Sequence, residues 1–430
     1  MTADQHLKIL CIDDNKDIIQ TLVGLLTREG YLVYSATDPR QGIAIAQRSD
    51  PDLILLDIMM PGMNGYELCK VLQQGEQTSK IPVVFLSALN QPQHKVSALA
   101  AGGVDYLTKP FERDSLMEVT KRYAGKKAAW GACLKPQGLR PPPRAGAKGN
   151  YTLANFKLHV IDKFKPGSDA AKAVTALTSA NIYKLAGILG ITPSRVARLI
   201  AEFSNHTYFP VINPDDIKLG VLPAKFAEQN NIAVVEGRGE ATLLAISQPF
   251  NLELHDMIRS ILGSEFEFGI TEPSNISFLY RLAQEPASDF RKVPGAEDMY
   301  IAEEAVVRLR TAAKSANNEI NEPHIKYLTG KLLQFLAEEK GAQARIEAQG
   351  ACYQVKAGAP NAPEDFTRLN MRTGNMVMAR LKAMAGMDIL ERRNPQKGAF
   401  AVISRTETCR LSLATEVSEN GESLVLTPSA

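Results

Sequence analysis

Residues 55–67 read LLDIMMPGMNGYE: an apolar run that ends on an aspartate, a proline and glycine turn, then an asparagine placed to cap a helix. The run fits a short buried strand stopping at Asp57, and Asn64 fits a helix N-cap because its side chain can accept from the first unpaired N–H groups. Working outward, the same alternation recurs. Apolar runs at 7–12, 31–36, 52–56, 83–86 and 105–107 predict strands. Amphipathic stretches at 16–29, 39–48, 65–73, 91–101 and 113–123 predict helices, with Asp38 as a second cap. Short apolar runs alternating with helices mark a parallel sheet covered by helices, so this part of the chain is α/β.

The strand ends carry the chemistry. Asp13 and Asp14 end the first strand and Asp57 the third, while Ser87 follows the fourth and Lys109 the fifth. In a parallel sheet these residues share the C-terminal edge, where open α/β sheets place their ligands. Three clustered carboxylates repel unless a hard cation sits among them. Mg2+ accepts one or two such ligands plus a phosphate oxygen while keeping waters, so it is the expected cofactor. The Ser87 hydroxyl and the Lys109 ammonium can receive the extra oxygens of a phosphoaspartate. Lys109-Pro110 is a dipeptide able to be cis, which would turn the lysine inward, and Tyr106 sits where an aromatic could swing as the hydroxyl moves.

DD at 13–14, LLDIMMPGMNGYE around Asp57, FLSAL around Ser87 and DYLTKPF around Lys109 resemble the receiver domains of two-component response regulators. The resemblance spans 1–123 and implies a flavodoxin-like fold with strand order 2-1-3-4-5. It implies Asp57 as phosphoacceptor, Mg2+ held by Asp13, Asp14, Asp57 and the Met59 backbone carbonyl, and Ser87, Tyr106 and Lys109 as phosphoryl contacts and switch. It further implies a sensor histidine kinase or phosphotransfer protein as partner, no enzymatic activity beyond self-phosphorylation and dephosphorylation, and leaves a homodimer through the receiver open.

At 430 residues the chain exceeds what one hydrophobic core supports, so two or three domains are expected. With 45% hydrophobic and 22% charged residues and a net charge of +2, it reads as globular, with no overall pull toward nucleic acid or anionic membrane. Cys11, Cys69, Cys133, Cys352 and Cys409 are scattered, with no zinc-like spacing, and are expected to be reduced thiols. Residues 1–8 lack the basic head and apolar run of a signal peptide, and no run approaches the roughly 20 apolar residues of a membrane span. A cytoplasmic location is expected, without membrane insertion.

Residues 124–150 contain GKKAAWGACLKPQGLRPPPRAGAKG, basic, free of acid and interrupted by three consecutive prolines, which predicts an extended tether; the linker is set at 124–169. Two α+β domains follow, at 170–290 and 300–430. The first is expected to have helices up to Phe203, strands at 231–235 and 241–246, and a helix at 253–262. The second is expected to have helices at 321–340 and 369–384 and a strand pair at 399–404 and 410–414.

VLPAKFAEQNNIAVVEGRGEATLLAISQPFNLELHDMIRSILGSEFEFGITEPSNISFLYRL, from Val221, resembles the N-terminal domain of type II secretion and type IV pilus assembly ATPases. Some relatives bind cyclic di-GMP there through an Arg-Leu-Gly-led repeat, whereas this chain has KLAG at 184–187. RLKAMAGMDILERRNPQKGAF, from Arg380, resembles the segment just before the motor core of those ATPases, and Arg392 and Arg393 match its arginine pair as contact residues. Upstream, GAQARIEAQGACYQVKAGA is similar to the strand pair preceding that segment, with Gln354 and Lys356 in place of its usual arginines, and Lys397 and Ala399 also depart from the pattern. No GxxxxGK[ST] run occurs, since Gly330-Lys331 is followed by Leu332, so no phosphate-cradling loop is available; the chain stops where the motor would begin. These features predict a motorless adaptor that binds a pilus or secretion ATPase. Two alternatives are a cyclic di-GMP effector and a DNA-binding regulator using LAGILGITPSRVARLIAEF at 185–203. In the latter, Ala186, Gly190, Ile191 and Val196 would be structural, and Arg195 and Arg198 would face the groove.

Overall fold

The computed structural model describes residues 7–75, 77–87, 97–125, 152–218, 220–235, 242–262, 266–284, 300–315, 319–350, 352–403, 408–418 and 421–429. They fall into two compact units, one containing the stretch before the basic linker together with the residues from 300 on, the other containing 152–284.

In the first unit β1 (Lys8–Ile12), β2 (Leu32–Ala36), β3 (Leu53–Asp57), β4 (Val83–Ser87) and β5 (Asp105–Thr108) make a parallel sheet of order β2-β1-β3-β4-β5. Every residue of β3 and β4 is buried, which is why they read as unbroken apolar runs and not as alternating ones. The helices are α1 (Lys16–Arg28), α2 (Pro39–Ser49), α3 (Gly65–Gln74) and α4 (Arg113–Tyr123). Asp38 caps α2 as expected, and Asn64 forms a reciprocal cap with Glu67 at the start of α3. Asn15 does the same work for α1, a cap the sequence reading passed over. Residues 97–100 are helical, while 91–96 of the expected fourth helix lie outside the described residues. Gly65 is required where it stands: a Cβ there would lie 2.1 Å from the Asp57 carbonyl oxygen, so only glycine lets α3 begin against the end of β3.

The second unit opens with α5 (Leu153–Phe164) and α6 (Ser168–Thr175), followed by α7 (Leu185–Leu189) and α8 (Pro193–Ser204). Then come α9 (Ala224–Gln229), β6 (Ile232–Val235), β7 (Thr242–Ile246), α10 (Leu252–Leu262), β8 (Phe266–Ile270) and α11 (Pro273–Gln284). The sheet has order β6-β7-β8, antiparallel then parallel. Here α5 corrects the expected linker of 124–169. Phe156 and Val160, one turn apart, bury a face that a solvated tether would not have, and Thr152 caps the helix. The basic, proline-rich stretch 126–151 lies outside the described residues.

From residue 300 the first unit continues with β9 (Tyr300–Ile301), α12 (Glu303–Ser315), α13 (Pro323–Glu338), β10 (Gln343–Gln349), β11 (Cys352–Ala359) and β12 (Ala362–Asn370). It closes with α14 (Met371–Met384), β13 (Lys397–Ile403), β14 (Thr408–Ser418) and β15 (Gly421–Ser429). Seven strands form one antiparallel sheet, β12-β11-β10-β15-β14-β13-β9, and α14 is buried almost all round. The expected strand pair is β13 and β14, and the helices expected at 321–340 and 369–384 are α13 and α14. The stretch expected as a separate domain at 300–430 shares its compact unit with the N-terminal sheet. Cys11 and Cys69 are buried free thiols, whereas Cys352 is disulfide-bonded, a departure from the expected set of reduced thiols.

Candidate functional site

The C-terminal edge of the parallel sheet gathers the residues singled out in the sequence. β3 ends on Asp57, 4% exposed, and β1 leads into Asp13, 0% exposed, and the exposed Asp14. One carboxylate oxygen from each of Asp13, Asp14 and Asp57 lies within 4.8 Å of the other two. The loop after β5 brings Lys109 between two of them, its Nζ 2.5 Å from Asp13 Oδ2 and 2.6 Å from Asp57 Oδ1. The Lys109-Pro110 peptide is cis. Asn15 N–H donates to Asp13 Oδ1 at 3.0 Å, and the Met59 N–H donates to the Asp57 carboxylate. Ser87, buried, ends β4 and is in register with Thr108 of β5, and the Lys109 N–H donates to the Ser87 carbonyl at 2.7 Å.

Burial pushes the Asp57 pKa above the ordinary carboxylate value; the bonds from Lys109 and Met59 work against that rise, and the Asp13 charge adds to it. Burial likewise works against the Lys109 charge, but its bonds to Asp13 and Asp57 outweigh it and hold its pKa above the usual lysine value. An all-oxygen, triply acidic set with one lysine answering it is what a hard divalent cation takes.

Tyr106 sits on β5, half-buried against the sheet core, and its Oη donates to the Leu390 carbonyl at 3.3 Å. Of the arginine pair, Arg392 is largely buried and makes many bonds, while Arg393 is exposed. Arg392 donates to Tyr353 Oη at 2.6 Å, Asn375 Oδ1 at 2.7 Å and the Val104 carbonyl at 3.2 Å. Behind it Glu422 pairs with Lys382 at 2.8 Å, both side chains 1% exposed. The sequence reading named the arginines and gave no role to Tyr353, Asn375, Lys382 or Glu422; Lys382 stands in the stretch quoted from Arg380, but nothing local marks its pairing with Glu422, forty positions away.

In the second unit, Gly190 at φ 66° turns the chain between α7 and α8, as the helix-turn-helix reading expected. Yet α7 is only five residues long, and Ser194 in the first turn of α8 donates to Glu272 Oε2 at 2.6 Å, with Glu272 0% exposed. The helix end that would meet base edges is packed on the β8–α11 turn instead.

Residues 9–121 match the response regulator receiver domain family, and residues 209–288 match the MshEN domain. Over 111 residues, 26% of this chain, the sequence is 35% identical to Protein PilH of Pseudomonas aeruginosa, covering 92% of that protein. Over 110 residues, 26% of this chain, it is 41% identical to the DNA-binding dual master transcriptional regulator RpaA of Synechocystis, covering 46% of it. Over 123 residues, 29% of this chain, it is 37% identical to Protein RcaC of Microchaete diplosiphon, covering 19% of it. The matched stretch thus spans less than half of RpaA and RcaC and nearly all of PilH. With the sheet order, the edge-clustered acids and these matches agreeing, the chain belongs to the response regulator receiver family, its receiver followed by an MshEN domain, the N-terminal domain of type II secretion and pilus ATPases.

Proposed function

We propose that Asp57 accepts a phosphoryl group from a sensor histidine kinase or phosphotransfer protein, and that the domains after the receiver bind a type IV pilus or type II secretion ATPase. The observation that supports the first half is the buried Asp57 carboxylate beside Asp13, bridged by Lys109 at hydrogen-bond distance. Asp13, Asp14, Asp57 and the Met59 carbonyl would hold Mg2+, which neutralises charge on the transferred group when bound. The Asp57 carboxylate, held by the Met59 N–H and by Lys109, would attack phosphorus in line with the leaving group. Lys109 then follows the incoming oxygens, and the Ser87 hydroxyl donates to another.

The MshEN match supports the second half, and binding is the output proposed for it. No described helix is long and apolar enough to cross a membrane. The test is a pull-down with a pilus or secretion ATPase, with and without acetyl phosphate, using Asp57→Asn as control. Phosphorylation-dependent association is expected; no association in either state rejects the adaptor. The Ser194–Glu272 bond weighs against the DNA-binding alternative, for which a gel shift at low salt is the check. Titration with cyclic di-GMP checks the nucleotide alternative.

A further inference from the structure

Two histidines close on one phenylalanine in the second unit. α8 ends on Asn205 at φ 54°, and the His206 N–H returns to the Ala201 carbonyl at 3.0 Å, a turn that lays His206 against β8. There it stacks on Phe268, ring centroids 4.4 Å apart and planes 17° from parallel. His255 lies on the inner face of α10 with the buried Leu254 and Ile258, and its ring meets the same Phe268 at 4.9 Å. The His255 side chain is buried, and its Nε2 meets no hydrogen-bond partner among the described residues. A neutral imidazole tolerates that place by carrying its proton on Nδ1. Protonation would add a charged N–H at Nε2 where no acceptor stands.

The charges around the rings act in the same direction. On α10, Asp256 would favour a charged His255, but it is paired with Arg259 at 3.0 Å, and Arg259 opposes a second positive charge. Arg259 itself lies 5.9 Å over the Phe266 ring of β8, while Glu267, between the two phenylalanines, is exposed on the other face of the strand. From the end of α8 the two histidines oppose one another's protonation. Burial, with His255 beside it, lowers the His206 pKa to about 4 against a lift from the Ser204 carbonyl; burial and then Arg259 lower that of His255.

We propose that His206, Phe268 and His255 form an acid-opened latch that holds α10 on the sheet of the second unit while both rings are neutral. Opening wets the rings and returns them to the free-histidine value, so the open form binds more protons between the two values. The latch is therefore closed above the free-histidine value and weakens as pH falls toward the closed-state one. For His206 alone, release from about 4 to about 6.5 favours opening about twenty-fold more at pH 5 than at pH 7. α10 and β8 lie within the stretch matched to the MshEN domain, so acid loosens that domain. The latch takes no part in the chemistry of Asp57 and stands or falls without it.

The test uses the full chain and reads amide hydrogen exchange over 252–262 at pH 7 and pH 5, each corrected for the intrinsic rate at that pH. Wild type is expected to lose about twenty-fold of its protection between the two. A His206→Phe/His255→Leu chain, with no proton to take at either place, is expected to lose less than about three-fold. Site-assigned 13C spectra of the wild-type imidazoles supply an arm that needs no variant: His206 is expected to titrate near pH 4 and His255 below the free-histidine value. Equal wild-type protection at the two pH values overturns the proposal, as does a double variant that loses as much as wild type. Should the variant not fold, titration of either ring at or above the free-histidine value overturns it, and titration of both below that value together with the wild-type loss upholds it.

Discussion

Replacing Asp57 by asparagine should reverse the stability order of the two chains between EDTA and Mg2+. A carboxylate oxygen of Asp57 lies within 4.8 Å of one from each of Asp13 and Asp14, and Asp57 Oδ1 is 2.6 Å from Lys109. At an effective dielectric of about 20, each repulsion is about 3 kcal/mol and the attraction about 6 kcal/mol, so the pair terms nearly cancel. What is left is the cost of burying the charge, which agrees with the upward direction of the Asp57 pKa. Because the folded pKa exceeds the unfolded one, the folded chain binds the extra proton between the two values. Stability from this group therefore falls as pH rises through that window, and the full cost stands at neutral pH. An asparagine removes that cost while its amide oxygen can still accept from Lys109, so without metal the variant should match or exceed wild type by about 1 kcal/mol. With Mg2+ at a hundred times its dissociation constant, wild type gains about 2.7 kcal/mol, most of which the variant lacks. Thermal unfolding of the full chain, following the transition that Mg2+ shifts, gives both numbers. A variant about 2 kcal/mol less stable than wild type in EDTA, or one whose transition moves equally with Mg2+, would refute the reasoning.

Lys331, 3% exposed on α13, has its pKa lowered by burial to about 7. Between that value and the unfolded one the unfolded chain binds more protons, so stability rises with pH across the window and the cost is full below pH 7. Lys331→Met should stabilise by on the order of 3 kcal/mol at pH 6 and by clearly less near pH 10, as urea titrations at the two pH values would show; an equal gain at both contradicts it. Gly65→Ala would press a methyl group onto the backbone of Asp57 and Ile58, with distances of 2.1 and 2.9 Å to atoms that cannot rotate away. It should lower the Mg2+-responsive transition by about 2 kcal/mol and slow phosphorylation of Asp57, and an unaltered transition would show that the turn relaxes freely.

The receiver was legible because its signals are local. β3 and β4 are buried on both faces and so appear as unbroken apolar runs ending at Asp57 and Ser87, and Asp38 and Asn64 announce the helices they cap. The seven-stranded sheet was legible only in part. β10 pairs with β15, Ala344 opposite Leu426, and no local window carries a register set across so long a separation. The helix α14 misleads a periodic reading because Arg380 and Lys382, which look like a solvent face, are buried. Lys382 is satisfied by Glu422, forty positions away. Arg392 was named from its resemblance to a motif, but its partners follow from packing alone. The start of α5 was lost because the basic, proline-rich composition before it was extended too far along the chain.

The central claim is tested most directly by the intact mass of the full chain after incubation with acetyl phosphate and Mg2+. The account predicts one added phosphoryl group on wild type, none on Asp57→Asn, and none on wild type in EDTA. An unmodified wild type, or equal modification of the asparagine chain, would contradict it.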